Sequence, residues 1–217
     1  MMGDQHFISG AITGGLMCSA LEIPLLYTPA VIGVVMFFAL VPDVDCPGST
    51  VTKSLPLIGT PISWFIRRLS HVVYMATKGP RDEDWEGTHR HLSHTIVFAL
   101  IIGGGVYAGT VHFVGQHWAL IFGGAAALGC WTHCLGDSLT EMGCPWLWPL
   151  PIAGETWYEI RTPSIIRFHT GSDTEKLIVR PLIYAGAFVA FPGVAVVVLP
   201  VVFDLGAHLV RGIASHG

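Results

Sequence analysis

Between Phe7 and Leu40 the chain runs for 34 residues with one charged side chain, Glu22. No other feature constrains the fold as much, because such a run must leave water while its backbone stays hydrogen-bonded. As a single helix it would reach about 51 Å at 1.5 Å per residue, too long for one crossing of a bilayer. Pro24 and Pro29 favour a break. The reading is a hairpin with legs at about 7–22 and 25–40. Each leg is short for a full span, so a crossing pair and a re-entrant hairpin both stay open. Either returns the chain to the side from which it started.

Three more apolar runs follow, Thr95 to Val114, Trp118 to Leu135 and Pro181 to Phe203. Gly115, Gln116 and His117 make a short turn between the first two. Hydrophobic residues are 52% of the chain and charged residues 12%, against roughly 25% charged in an ordinary soluble domain. This composition excludes a disordered chain, a basic nucleic-acid-coating protein and a disulfide scaffold, and no nucleic-acid partner is expected. The expected fold is all-α: a polytopic integral membrane helical bundle of about five apolar segments, forming a single membrane-embedded domain over 1–217. The core motifs fall within 3–180, with the last apolar segment at 181–203. No cleavable signal peptide is expected, since the start lacks a basic region and a clear cleavage site.

The segment from Val41 to Ser93 is polar. Within it, residues 61–77 mix Trp64, Phe65, Val72 and Tyr74 with Arg67, Arg68 and His71. This pattern suits an amphipathic helix in the lipid headgroup region, or equally a helix packed on the rest of the protein. Residues 78–87 read as a solvated loop. Basic residues mark cytoplasmic loops. Lys53, Arg67, Arg68, Lys78, Arg81 and Arg90 lie between the second and third runs, and Arg161, Arg167, Lys176 and Arg180 between the fourth and fifth. Only Arg211 stands elsewhere, so that side is expected to be cytoplasmic. Most of the five cysteines (Cys18, Cys46, Cys130, Cys134, Cys144) then sit at or near the side where thiols stay reduced, and no disulfide framework is implied.

The polar residues gather at one end of these segments. His6 begins the first leg, and Asp43 and Asp45 close the second. His89, Arg90, His91 and His94 lead into the third run, and His133 and Asp137 end the fourth. His133 and Asp137, four apart, share a helix face. His89 and His94 suit a loop entering a helix, and an extended Asp43-x-Asp45 could offer two oxygen ligands. Imidazole with carboxylate suits Zn, Mn, Fe or Ni more than Ca. More than four such ligands favour a pair of metals about 3.5–4 Å apart. Asp43 and Asp137 could each simply cap a turn, and the remaining histidines, His71, His112, His117, His169, His208 and His216, read as interfacial polar residues. Cys130 and Cys134 could be Zn ligands or small thiols packed in an apolar helix. Trp146 and Trp148 suit interfacial anchors.

These residues resemble a known family. The matching pieces are His6, Val-Pro-Asp-Val-Asp at 41–45, His-Arg-His-Leu-Ser-His-Thr at 89–95, and Gly-Cys-Trp-Thr-His-Cys-Leu-Gly-Asp-Ser-Leu-Thr-Glu-Met-Gly at 129–143. Trp148-Pro149 and Thr-Gly-Ser with Glu175 are also similar. Together, over about residues 3–180, they resemble the YdjM-like family of LexA-binding, inner-membrane-associated, metal-dependent hydrolases. Thr95 and Thr132 stand where that family commonly has serine, and both keep a hydroxyl. The stretch 50–87 is longer than the pattern leads one to expect. The resemblance implies a membrane-bound metal-dependent hydrolase. The motif order is also similar to that of the zinc phospholipase C and P1 nuclease group, which favours a phosphoester substrate.

The expectation is therefore a cytoplasmic-facing site holding a divalent transition metal, Zn or else Mn or Fe, as two ions. His6, Asp43, Asp45, His89, His94, His133 and Asp137 are the candidate ligands. Arg90 and Asp45 are the candidate catalytic residues, with Arg90 holding an anionic oxygen. The expected partners are membrane lipids and a phospholipid or lipid-linked phosphoester substrate. An alternative is a non-catalytic membrane protein whose loops hold a cytoplasmic regulator protein. A transporter fits less well, because the middles of the runs lack ionisable groups.

Overall fold

The computed structural model describes residues 1–83 and 89–190. The helices are α1 (Gly3–Ala20), α2 (Thr28–Phe38), α3 (Thr50–Lys53), α4 (Gly59–Thr77), α5 (Ile96–Ser138) and α6 (Arg180–Ala190). A 3-10 turn, Val41–Asp45, follows α2, and another, Leu92–His94, precedes α5. A π-helical turn, Glu175–Val179, leads into α6. Among the described residues there is no β-strand, only isolated bridges such as Thr140 with Phe168. The described residues form an all-helical fold.

Helix α5 is 43 residues long but is not one rod. Gly115 sits at φ 79°, ψ 164°, a conformation glycine reaches readily because it has no Cβ. The chain reverses there, so residues 96–114 and 116–138 form two adjacent arms. Their contact depends on small residues: a Cβ on Gly103 would stand 2.7 Å from the Gly123 carbonyl oxygen, and one on Gly123 equally close to that of Gly103. By helical rise the arms are about 28 and 34 Å long, close to the roughly 30 Å of a bilayer core. Only 11% of the most apolar 18-residue stretch of α5 is buried. Leu100, Ile101 and Leu120 face outward, an arrangement that suits lipid rather than water.

Helices α1 and α2 form a second hairpin. Gly10 lies against Met36 and Ala39, and Gly14 against Ile32 and Val35. Gly129 brings α2 onto the second arm of α5, since a Cβ there would lie 2.5 Å from the Val35 carbonyl oxygen. Cys18, Val31, Val35, Ile121 and Ala125 fill the space between the hairpins. Helix α2 is only 11 residues long, about 16 Å. The 3-10 turn after it extends the apolar stretch to Thr28–Asp45, which with Ile96–Ser138 is long and apolar enough to cross a membrane. Among the described residues these two stretches are the ones that meet this length and hydropathy, against the five apolar segments expected. The fifth expected run, 181–203, is helical to Ala190, and its remainder lies outside the described residues, as do residues 84–88 of the expected 78–87 loop.

Both hairpin tips lie together, with the rings of Tyr27 and Trp118 4.5 Å apart. The opposite end of the bundle therefore collects the start of α1, the end of α2 with its 3-10 turn, the entry to α5 and the exit from α5.

A candidate metal centre at the end of the helical bundle

Each side chain at this end is delivered by a different local device. Pro42 opens the 3-10 turn that carries Asp43 and Asp45. At three residues per turn these two carboxylates diverge by about 120°, which differs from the extended Asp-x-Asp the sequence suggests. Asp43 faces the bundle axis, while Asp45 turns toward the loop at 90–93. Thr95 caps α5, accepting from the Phe98 N–H at 3.1 Å and donating to the Leu92 carbonyl at 2.8 Å. That pair of hydrogen bonds sets the turn that ends in His94. His133 and Asp137 occupy one face of the last turns of α5.

Ligand atoms of Asp43, His94, His133 and Asp137 all lie within 4.8 Å of one another. His94 Nε2 is 3.6 Å from Asp43 Oδ1 and 3.6 Å from Asp137 Oδ2. His133 Nε2 is 3.4 and 3.5 Å from the same two oxygens. Four ligands placed tetrahedrally at about 2.1 Å from a Zn-sized ion are about 3.4 Å apart. The spacing therefore fits a single cation, and it is long for hydrogen bonds.

The hydrogen-bond pattern fixes the tautomers in the same sense. His133 Nδ1 is 2.8 Å from the Ala39 carbonyl oxygen, which can only accept, so Nδ1 carries the proton. Asp45 Oδ2 accepts from the Arg90 backbone N–H at 3.2 Å and from Ser93 Oγ at 3.0 Å. Having donated to Asp45, Ser93 accepts from His94 Nδ1, 3.0 Å away. Both imidazoles thus turn Nε2, the nitrogen free to ligate in this tautomer, to the same point. Two buried ring nitrogens without hydrogen-bond partners converge there on the carboxylate oxygens of Asp43 and Asp137, an arrangement that is costly unless a cation takes them. A metal-ligating histidine commonly donates its other ring N–H in this manner.

Arg90 closes the far side. Its Nη2 donates to Asp137 Oδ1 at 3.1 Å, its Nη1 to Thr140 Oγ1 at 2.7 Å, and its Nε is 3.0 Å from Asp137 Oδ2. Its backbone is at φ 76°, a left-handed conformation that costs a non-glycine residue about 1–3 kcal/mol and is often held at functional sites. The Met1 amino group also reaches Asp137 Oδ1, at 2.6 Å. Burial pushes the His94 imidazole pKa down to about 3. Burial, then the neighbouring Arg90, lowers that of His89. Both are therefore neutral near pH 7, the form in which imidazole binds metal.

The other candidates lie around this group. The His6 ring stacks on His133 at 3.6 Å, and its Nε2 is 3.3 Å from Asp137 Oδ1. Gly136 leaves room for it, since a Cβ there would be 3.2 Å from the ring. The His89 ring is 5.8 Å from that of His94. Asp45 stands behind His94, 4.0 Å from Nδ1. Cys130 and Cys134 are buried outside the group, and Glu141 pairs with His169 at the surface. Ser93, Thr140 and the Ala39 carbonyl are contributors that sequence reasoning does not single out. Ser93 and Thr140 both lie inside the motifs at 89–95 and 129–143, as the hydroxyls before His94 and three residues after Asp137.

Residues 1–209 match the family described as YdjM inner membrane protein. The chain belongs to the YdjM inner membrane protein family. With its two long apolar stretches, this places it in a membrane, with a group of Asp and His residues able to bind a metal. No curated protein and no solved structure matches the chain.

Proposed function

We propose that this YdjM-family protein is a membrane-bound, metal-dependent hydrolase that cleaves a phosphoester, lipid-linked or phospholipid, at the cytoplasmic face of the membrane. The observation that carries the proposal is the convergence of His94 Nε2 and His133 Nε2, buried and without hydrogen-bond partners, on the carboxylates of Asp43 and Asp137, beside the buried guanidinium of Arg90. Asp43, His94, His133 and Asp137 would hold a divalent transition ion. Such an ion supplies Lewis acidity, polarising a phosphoryl oxygen and acidifying water. Ser93 and Asp45 keep His94 in its ligand tautomer, and the Ala39 carbonyl does the same for His133. Arg90 holds Asp137 in place, and its positive charge favours an anionic oxygen and the charge that develops on it. Asp43 is 20% exposed, whereas His94, His133 and Asp137 are all but sealed, so substrate and water would approach from its side. A second ion would draw on His6 or His89, each of which has a buried ring nitrogen without a partner. The ten basic residues of the two polar segments favour a cytoplasmic orientation.

The test is metal content. The wild type and a His133→Ala/Asp137→Ala variant are purified in detergent, and bound transition metals are quantified in each. About two equivalents in the wild type, lost in the variant, are expected, followed by hydrolysis of a phosphoester panel by the wild type alone. No specific metal in folded wild type would overturn the hydrolase reading and leave the protein as one whose loops hold a cytoplasmic regulator.

A further inference from the structure

Helix α4 is amphipathic in the opposite sense to a helix in water. Its buried residues are Gly59, Ser63, Ser70 and Tyr74. Its outward side carries Trp64, Phe65, Leu69, Val72 and Met75, with Trp64 69% exposed and Ser63 fully buried. At 100° per residue, Phe65 and Val72 lie on the side opposite Ser63 and Ser70. Arg67 and Arg68 are exposed on the same helix. A helix of a soluble protein turns its apolar stripe toward the core, and a contiguous exposed apolar face marks contact with something other than water.

The position of α4 indicates what that is. It packs on α3 and on the two 3-10 turns. Those turns carry Asp43 and His94 and lie where the arms of α5 and the α1–α2 hairpin end. This is the depth at which a bilayer core gives way to headgroups. Trp, aliphatic side chains and arginines on one helix suit that boundary, with arginine stems lying along lipid and their heads in the polar layer. The polar side of α4 reaches the site loop directly, because Ser70 Oγ accepts the Leu92 N–H at 3.0 Å. Leu92 opens the turn that ends in His94.

We propose that α4 lies in the plane of the membrane interface, with its outward face in a bilayer that carries anionic headgroups. Through Ser70, that lipid contact holds the His94 loop in register with Asp43. The proposal needs the membrane location of the chain and is independent of the hydrolase reading.

The full chain is reconstituted in vesicles of phosphatidylethanolamine and phosphatidylglycerol. The photo-crosslinking residue p-benzoylphenylalanine is placed at position 72, and at position 101 of α5 as a control. After irradiation, the expected product at 72 is a phospholipid adduct, identified by mass. An adduct with a second copy, another protein or the chain beyond residue 190 would overturn the proposal. So would no adduct at 72 when position 101 gives one. Hydrogen exchange in the same vesicles tests the coupling. Phe65→Glu/Val72→Glu is expected to speed exchange over 92–94 about tenfold while α5 stays protected. Unchanged exchange there would reject the link from lipid to the His94 loop.

Discussion

At one end of the bundle His94 and His133 are fully buried, while at the other Leu25 and Phe113 are 86% and 87% exposed. A protein in water would show the reverse, because burying polar groups costs free energy and burying apolar ones releases it. Both ends make sense when the hairpin tips and the outer faces of α5 meet lipid. In that setting apolar tips cost little, and packing relies on glycine-lined contacts such as Gly103 with Gly123 rather than on escape from water. The polar end has no such freedom. Its imidazoles and carboxylates need partners supplied from inside, and Asp43, His94, His133 and Asp137 could hold a cation. The stability of the two ends therefore rests on different forces, and substitutions should act on them unequally.

The largest effect is expected from Asp137→Ala. It leaves the buried Arg90 without its carboxylate, and breaking a buried pair costs about 3–5 kcal/mol. Thermal unfolding in detergent measures it, and an unchanged melt would break the contrast between the ends. Acid acts on the same end. His94, at the ordinary value of about 6.5 when unfolded, is held down to about 3 when folded. Its folded-state contribution is full above pH 6.5 and is lost as pH falls toward 3. Melts of metal-stripped protein should thus lose stability steadily over that window, and a melt that is flat with pH would argue against a sealed, neutral His94. Ser93→Ala removes the group that sets the His94 tautomer. Metal affinity is expected to weaken about 10–100-fold, as read by chelator competition, with little change in the overall fold. Smallest of all, Leu25→Ala and Phe113→Ala at the tips should shift stability by no more than about 0.5 kcal/mol. A larger shift from either would mean that the tips pack against something other than lipid.

Much of this arrangement is legible in the chain itself, because the signals are strong and local. The break at Gly115 follows from a Gly-Gln-His turn between two apolar runs, and α4 spans Gly59–Thr77 where the sequence shows a mixed apolar and basic stretch over 61–77. The spacing of His133 and Asp137 on one helix face needs only the helical period. Less legible is the division of labour among the polar residues. Asp43 and Asp45 look equivalent in Val-Pro-Asp-Val-Asp, yet the 3-10 turn sends one to the cation position and the other behind His94.

By itself, the sequence determined the helical hairpins, the membrane setting and a list of candidates that includes Asp43, His94, His133 and Asp137. Hydrophobicity and helical period act over neighbouring residues, so these can be read along the chain. Only the tertiary structure decided which four ligand atoms point at one another, and that Ala39 and Ser93 orient their imidazoles. It also decided that α4 turns its apolar side outward. Those outcomes depend on contacts between residues 22 to 94 positions apart, such as Ala39 with His133, Asp45 with Arg90 and Ser70 with Leu92, and no local pattern records which way a side chain turns once distant segments close on it.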